Sequence, residues 1–173
     1  MTLIDLLMAG GLVQFGRFGD DAAPIKINIG LLPSYPEVLR TLAEQAVKFC
    51  VGVDRLVCTV DAVPFGTAVS LAADIPLVYS LGTDAPGVHD LIGAYDVGHP
   101  AILLANIQRE IPPQLIEKAQ RVGLDIQQTI TVFGLDNRAL VNLGDLMDEL
   151  VARKRLSGGQ REAVMHWLRD RSE

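Results

Sequence analysis

The segment from Gly98 to Asp136, GHPAILLANIQREIPPQLIEKAQRVGLDIQQTITVFGLD, decides the fold. Its apolar run Ala101-Ile102-Leu103-Leu104-Ala105 has the length of a strand and is uniform enough to be buried on both faces. A polar turn is predicted from Asn106 to Ile111. Pro112 and Pro113 then suit a first helical turn, where a missing N–H costs nothing. Leu115, Ile116, Ala119 and Val122 make one apolar face, and Gly123 is placed for a left-handed cap. A second strand is predicted over roughly residues 126 to 133. The result is a βαβ unit, whose strand-to-helix turn commonly binds phosphate. Here that turn runs Ala105-Asn106-Ile107-Gln108-Arg109-Glu110-Ile111, without glycine, serine or threonine. The architecture offers a binding site, but the usual phosphate chemistry is missing from it.

Working outward, Leu3, Leu6, Leu7 and Met8 predict a short helix ended by Gly10-Gly11, followed by a turn-rich segment from Phe15 to Ala23. Residues Lys26 to Ile29 alternate like a short strand. A long helix begins at Pro36, with Ser34 as its expected cap and Glu37 at the third position. Strands are expected at Arg55–Val60, Leu77–Ser80 and Leu91–Tyr95, with a small-residue helix ending at Ala73 and a Gly/Pro/Asp loop from Gly82 to His89. Beyond Asp136 only helices are expected, one capped by Asn142 and one opened by a Ser157–Gln160 capping box. The fold class is therefore α/β, a parallel central sheet flanked by helices, in one domain over residues 1–173.

The bulk numbers narrow the function classes. A formal charge of −6 spread along the chain speaks against a nucleic-acid surface. No window approaches the ~18 uninterrupted apolar residues of a membrane span, and the N-terminus lacks the cations of a signal peptide. Cys50 and Cys58 sit in apolar contexts without metal spacing and are expected as buried, reduced thiols. A soluble cytoplasmic protein is the expectation.

Three segments carry a family resemblance: LIDLLMAGGLVQFGRFG followed by INIGLLPSYPEVL, DRLVCTVDAVPFGTAVSLAADIPLVYS from Asp54, and LIGAYDVGHPAILLANI from Leu91. In this order they resemble orotate phosphoribosyltransferase over about residues 1 to 140. The resemblance implies a type I phosphoribosyltransferase fold with a small N-terminal hood and C-terminal helices. It also implies a homodimer that joins orotate to phosphoribosyl pyrophosphate with Mg²⁺ in pyrimidine biosynthesis.

The departures fall on the implied catalytic positions. The two acids that hold the ribose hydroxyls fall on Ala105 and Asn106, and the phosphate loop falls on Ile107 to Pro112. Where the family carries cations after the strand ending at Tyr79, this chain has Ser80 to Gly87 with no cation and one acid, Asp84. The hood lysine falls near Asp20-Asp21 and an aromatic pair on Ile25-Lys26. The arginine after the strand end falls on Asn137, with Arg138 one place late. Pro64 and Gly66 are kept in the pyrophosphate turn, while Asp61 and Phe65 stand at glycine-like positions.

The leading expectation is a phosphoribosyltransferase-like protein that has lost phosphoribosyl transfer and persists as a dimeric binding or regulatory protein. No cofactor is expected. One rival is an active orotate phosphoribosyltransferase using Mg²⁺ with Lys26, Arg138 and Glu110 as substitutes; another is a purely structural dimeric partner. The candidate ligand-binding residues are Lys26, Asp61, Gly66, Asn106, Gln108, Arg109, Glu110 and Arg138, for a nucleotide, base or anionic small molecule. Arg109 at a helix N-terminus is placed to meet an anion, or else the turn is a solvated one with Glu110 serving the helix dipole. Asp61 with Asp96 as a metal pair, His89, His99 and His166 as acid–base groups, and Phe15, Phe18 and Tyr35 as a stacking surface have plainer readings as turn acids, surface histidines and hood packing.

Overall fold

The computed structural model describes residues 2–82, 90–95, 98–108 and 111–170. The expected Gly82–His89 loop, apart from Gly82, lies outside the described residues, as do Arg109, Glu110, Asp84, His89 and Asp96.

The βαβ unit forms as its residues dictate. Strand β6 (His99–Ile107) buries Ala101 through Asn106 without a break, helix α4 (Pro113–Arg121) follows, and β7 (Leu124–Gly134) returns parallel to β6. Gly123 has the positive φ of +84° that a left-handed helix end requires, and its N–H donates to the Gln120 carbonyl at 3.0 Å. The β6–β7 register slips between Ala101 and Ile102, where β7 carries one extra residue.

Before this unit come α1 (Leu3–Ala9), a hairpin of β1 (Val13–Phe18) and β2 (Ala23–Ile27), a 3-10 turn at Ile29–Ser34 and α2 (Pro36–Val47). Then follow β3 (Arg55–Cys58), a 3-10 turn at Val60–Ala62, α3 (Val63–Ala73), β4 (Leu77–Ser80) and the two-residue β5 (Leu91–Ile92). After β7 the chain forms β8 (Ala139–Asn142), α5 (Leu143–Ala152) and α6 (Gly158–Asp170). The sheet order is β5-β4-β3-β6-β7-β8, parallel except for the edge strand β5.

Alternation along the strands assigns the two faces. Leu56, Cys58, Ile102 and Leu104 join α2, α3 and α5 in one core cluster, while Val57, Leu103, Leu115 and Ala119 form another under α4. Each fully buried Leu or Ile contributes about 1.5–3 kcal/mol over leaving it in water. Both cysteines are buried and free, and burial, with a smaller contribution from Asp61, pushes the Cys58 thiol up to about 12. Among the described residues no helix is long and apolar enough to cross a membrane.

Three local expectations are corrected. Residues 15–18 belong to β1 rather than to a turn, because their partners on β2 provide the ladder that Gly16 alone would not suggest. Ser34 ends the 3-10 turn and does not cap α2, whose N-cap is Tyr35 without a side-chain hydrogen bond. The chain past Asp136 is not all helix, since β8 pairs with β7 through Thr131–Ala139 and Phe133–Val141. Parallel neighbours usually need a crossover of a dozen residues or more, and here residues 135–138 make the whole connection.

The helix caps do follow the sequence. Asn142 Oδ1 accepts from the Gly144 and Asp145 N–H groups at 2.9 and 3.2 Å, and Ser157 and Gln160 exchange the two bonds of a capping box. Substitution Asn142→Ala is expected to cost about 1 kcal/mol, read as a lower urea midpoint with unchanged slope.

Candidate functional site

Strand order reverses between β3 and β6. From β3 the chain moves through α3 to β4 on one side, and β6 then returns to pair with β3 on the other. In open α/β sheets such a switch point leaves a crevice beyond the carboxyl ends of the strands, where ligands bind. The side chains at those ends are Thr59 and Asp61 after β3, and Asn106 near the end of β6.

Asn106 and Asp61 meet across this crevice. Asn106 Nδ2 donates to the Asp61 carbonyl oxygen at 2.9 Å and to Asp61 Oδ2 at 2.8 Å. Asn106 is 1% exposed, whereas Asp61 is exposed to solvent. The amide therefore acts as a brace that fixes the carboxylate. Asn106 Oδ1 and Thr59 Oγ1 are buried without hydrogen-bond partners, as is Asp90 Oδ1 elsewhere. Two of these three orphans thus lie at the switch point.

A cavity of about 600 Å³ opens beside the pair. The hood side contributes Ile27, Ile29, Gly30, Leu32 and Pro33, and the opening of α3 contributes Pro64 and Phe65. Among the described residues Asp61 and Asn106 are its only polar side chains, and none of those lining it is a cation. The size suits a nucleoside-scale ligand. A second hollow of about 720 Å³ lies between the hairpin and α6, against Phe15, Arg17, Pro24 and Trp167, away from the strand ends.

The other predicted residues separate from this crevice. Lys26 is exposed on β2 beside Gln14, and alternation puts it on the face opposite Ile27, which lines the cavity. Gln108 is exposed past the end of β6 and is not part of the lining. Gly66 is buried inside α3, where an added Cβ would meet Cys58 Sγ at 3.0 Å and Leu77 Cδ1 at 3.1 Å. It serves close helix–sheet packing.

Arg138 is bound to Asp136, with Nε and Nη2 donating to Oδ2 at 3.0 and 2.8 Å and its backbone N–H to Oδ1 at 2.9 Å. The Asp136 carbonyl accepts from Ala139 N–H and from Asn142 Nδ2. Burial raises the Asp136 carboxyl, but the bonds from Arg138 outweigh it and hold the group below its ordinary range. This cluster builds the tight β7–β8 connection. Its residues are spent on structure.

The histidines and aromatics take their plainer readings where described. His99 Nδ1 lies 3.3 Å from Asp54 Oδ2, and His166 pairs with Asp170 on the exposed face of α6. Phe15 and Tyr35 pack against the main core, and neither they nor Phe18 lines the crevice. Among the described residues no group of three or more His, Cys, Asp or Glu is placed to hold a metal.

Sequence reasoning missed a buried polar group on the opposite face of the sheet. Asp90, 3% exposed, accepts from Ser80 Oγ at 2.9 Å and from Lys118 Nζ at 3.1 Å, and Lys118 is itself buried in α4. Burial raises the Asp90 carboxyl, but the Lys118 and Ser80 bonds win and leave it below its ordinary value. The one available signal was a lysine on the apolar side of α4, three residues after Leu115.

No family model matches the sequence, and no curated protein matches it. Solved structures do. A Leishmania donovani UMP synthase superposes with a TM-score of 0.80 at 23% identity, over 97% of this chain and 42% of that one. The chain therefore spans less than half the length of that relative. An orotate phosphoribosyltransferase from Francisella tularensis matches with a TM-score of 0.62 at 12% identity, over 96% and 97% of the two chains. One from Aeropyrum pernix matches at 0.60 and 16%, over 86% and 88%. At these identities the likeness is one of fold: the chain has the α/β architecture of the type I phosphoribosyltransferases and resembles their orotate-specific members in structure.

Proposed function

We propose that this protein is a phosphoribosyltransferase-fold homologue that has lost phosphoribosyl transfer and works as a binding or regulatory protein through the switch-point crevice. The observation that carries this reading is the Asn106–Asp61 contact. The position implied for a ribose-holding acid is occupied by an amide that is 1% exposed and has turned its two N–H groups onto Asp61. Ala105 beside it is fully buried in the strand and carries no polar atom. At this strand end a ribose hydroxyl or a Mg²⁺ ion finds a buried neutral amide and the methyl group of Ala105 where two carboxylates are implied, leaving Asp61 as the one acid, so the described residues do not fit the metal. The transferase alternative relied on Lys26, Arg138 and Glu110. Lys26 lies on the far face of β2, Arg138 is committed to Asp136, and Glu110 lies outside the described residues.

The reading extends to a single unit over residues 1–173 that pairs with a second copy, supported by the exposed apolar side chains Val60, Leu81 and Ile92. Buried free thiols suit a reducing, cytoplasmic setting. Calorimetric titration with phosphoribosyl pyrophosphate and Mg²⁺ tests the proposal. A trace without saturable heat is expected; a saturable isotherm that disappears on chelation of Mg²⁺ contradicts it.

A further inference from the structure

We infer that the switch-point crevice selects a flat, neutral or cationic ring bearing adjacent N–H donors, and rejects anions such as orotate. This rests on the binding reading above and goes further, because it names the chemistry of the ligand. The walls are apolar: the partly exposed Ile27, Ile29 and Pro64 present surface for a ring to cover, with the buried Leu32 and Phe65 behind them. The polar end offers acceptors only. Asp61 Oδ2 and the Asp61 carbonyl take the Asn106 donors, so the N–H groups of Asn106 are already used. What remains within reach of a ligand is the solvent-exposed Asp61 carboxylate; the partnerless Oδ1 of Asn106 is buried behind it.

Two adjacent ring donors that meet the Asp61 carboxylate make charge-assisted hydrogen bonds, roughly twice as strong as neutral ones. A carboxylate on the ligand would instead face the Asp61 charge with no cation among the described lining residues to offset it. The first turn of α3 has no side-chain cap and carries partial positive charge, but Asp61 immediately precedes it and answers that charge. Asn106 is then a positioning residue. It holds the Asp61 carboxylate at the crevice and leaves the recognition to it.

Guanosine presents two adjacent donors on one ring edge, inosine lacks the exocyclic amine, and orotate is an anion of similar width. These three are the probes for calorimetric titration against the whole chain. Saturable guanosine binding is expected, weaker binding of inosine, and none of orotate. Asp61→Asn should weaken guanosine about tenfold or more, since it removes a charge-assisted bond. The inosine comparison keeps the test valid if that variant folds poorly. Orotate bound as tightly as guanosine, guanosine and inosine bound alike, or no binding by either nucleoside would each overturn the inference. The last result would leave the loss of phosphoribosyl transfer untouched, whereas transfer activity beside guanosine selectivity would overturn that reading alone.

Discussion

Replacing Asn106 with aspartate is expected to destabilise the protein by about 3–5 kcal/mol at neutral pH, the range for an uncompensated buried charge. The substitution puts an acid at the position where the sequence resemblance implies one, so transferase logic alone would call it a repair. Here it removes both Nδ2 donors and brings a carboxylate against Asp61 Oδ2, which accepts from that amide at 2.8 Å. The position is 1% exposed, so the introduced charge is cut off from water and is screened only from the Asp61 side. The introduced carboxyl has a folded pKa raised above its unfolded value. The penalty is therefore absent in acid, grows as pH rises through the unfolded pKa, and is complete above the folded one. Urea unfolding at pH 7 and in mild acid measures it. The double variant D61N/N106D exchanges donor and acceptor and should recover part of the loss. An N106D protein as stable as the parent at pH 7 would show that the contact does not brace the crevice.

The second large effect is expected at the buried ion pair. Lys118→Met leaves Asp90, 3% exposed, with a carboxylate that keeps the Ser80 hydroxyl but has lost its countercharge. The expected cost is again about 3–5 kcal/mol at neutral pH. Adding Asp90→Asn should return part of it by removing the charge. In the parent, the Asp90 carboxyl sits below its ordinary 3.8. Its contribution is thus fully present above that value and is lost as pH falls through the lower folded pKa. In Lys118→Met the sign reverses, and acid should narrow the gap between variant and parent. Equal stability of parent and variant across this range would contradict the account. The pair ties β4 and the start of β5 to α4, so its loss acts on the edge of the sheet that α4 covers.

Much of this structure is legible in the residue pattern because the pattern is local. The run from Ala101 to Ala105 can only be a doubly covered strand, Pro113 and Gly123 bracket α4, and Asn142 caps α5. What escapes the pattern is set by partners distant in sequence. Residues 15–18 become a strand because β2 supplies their ladder. β8 is four residues long and follows an unusually short parallel connection, which exists because Arg138 and Asn142 close it around Asp136. The site divides the same way. Asp61 and Asn106 both carry a sequence signal, one at a glycine-like position and one at an acid position. Their direct contact spans 45 residues and is visible only in three dimensions. Lys26 and Arg138 were attractive as free cations, but strand alternation points one away and a turn consumes the other. Gly66 was attractive as a ligand-facing glycine, and proves to be a packing contact with Cys58.

The measurement that bears most directly on the whole account is orotate absorbance over time, with Mg²⁺ and phosphoribosyl pyrophosphate, at high protein concentration beside an active orotate phosphoribosyltransferase. The expected result is a flat trace next to a working control. Absorbance loss above background that requires both Mg²⁺ and phosphoribosyl pyrophosphate would contradict the account, because the Asn106–Asp61 crevice would then be supporting the transfer it is held here to have lost.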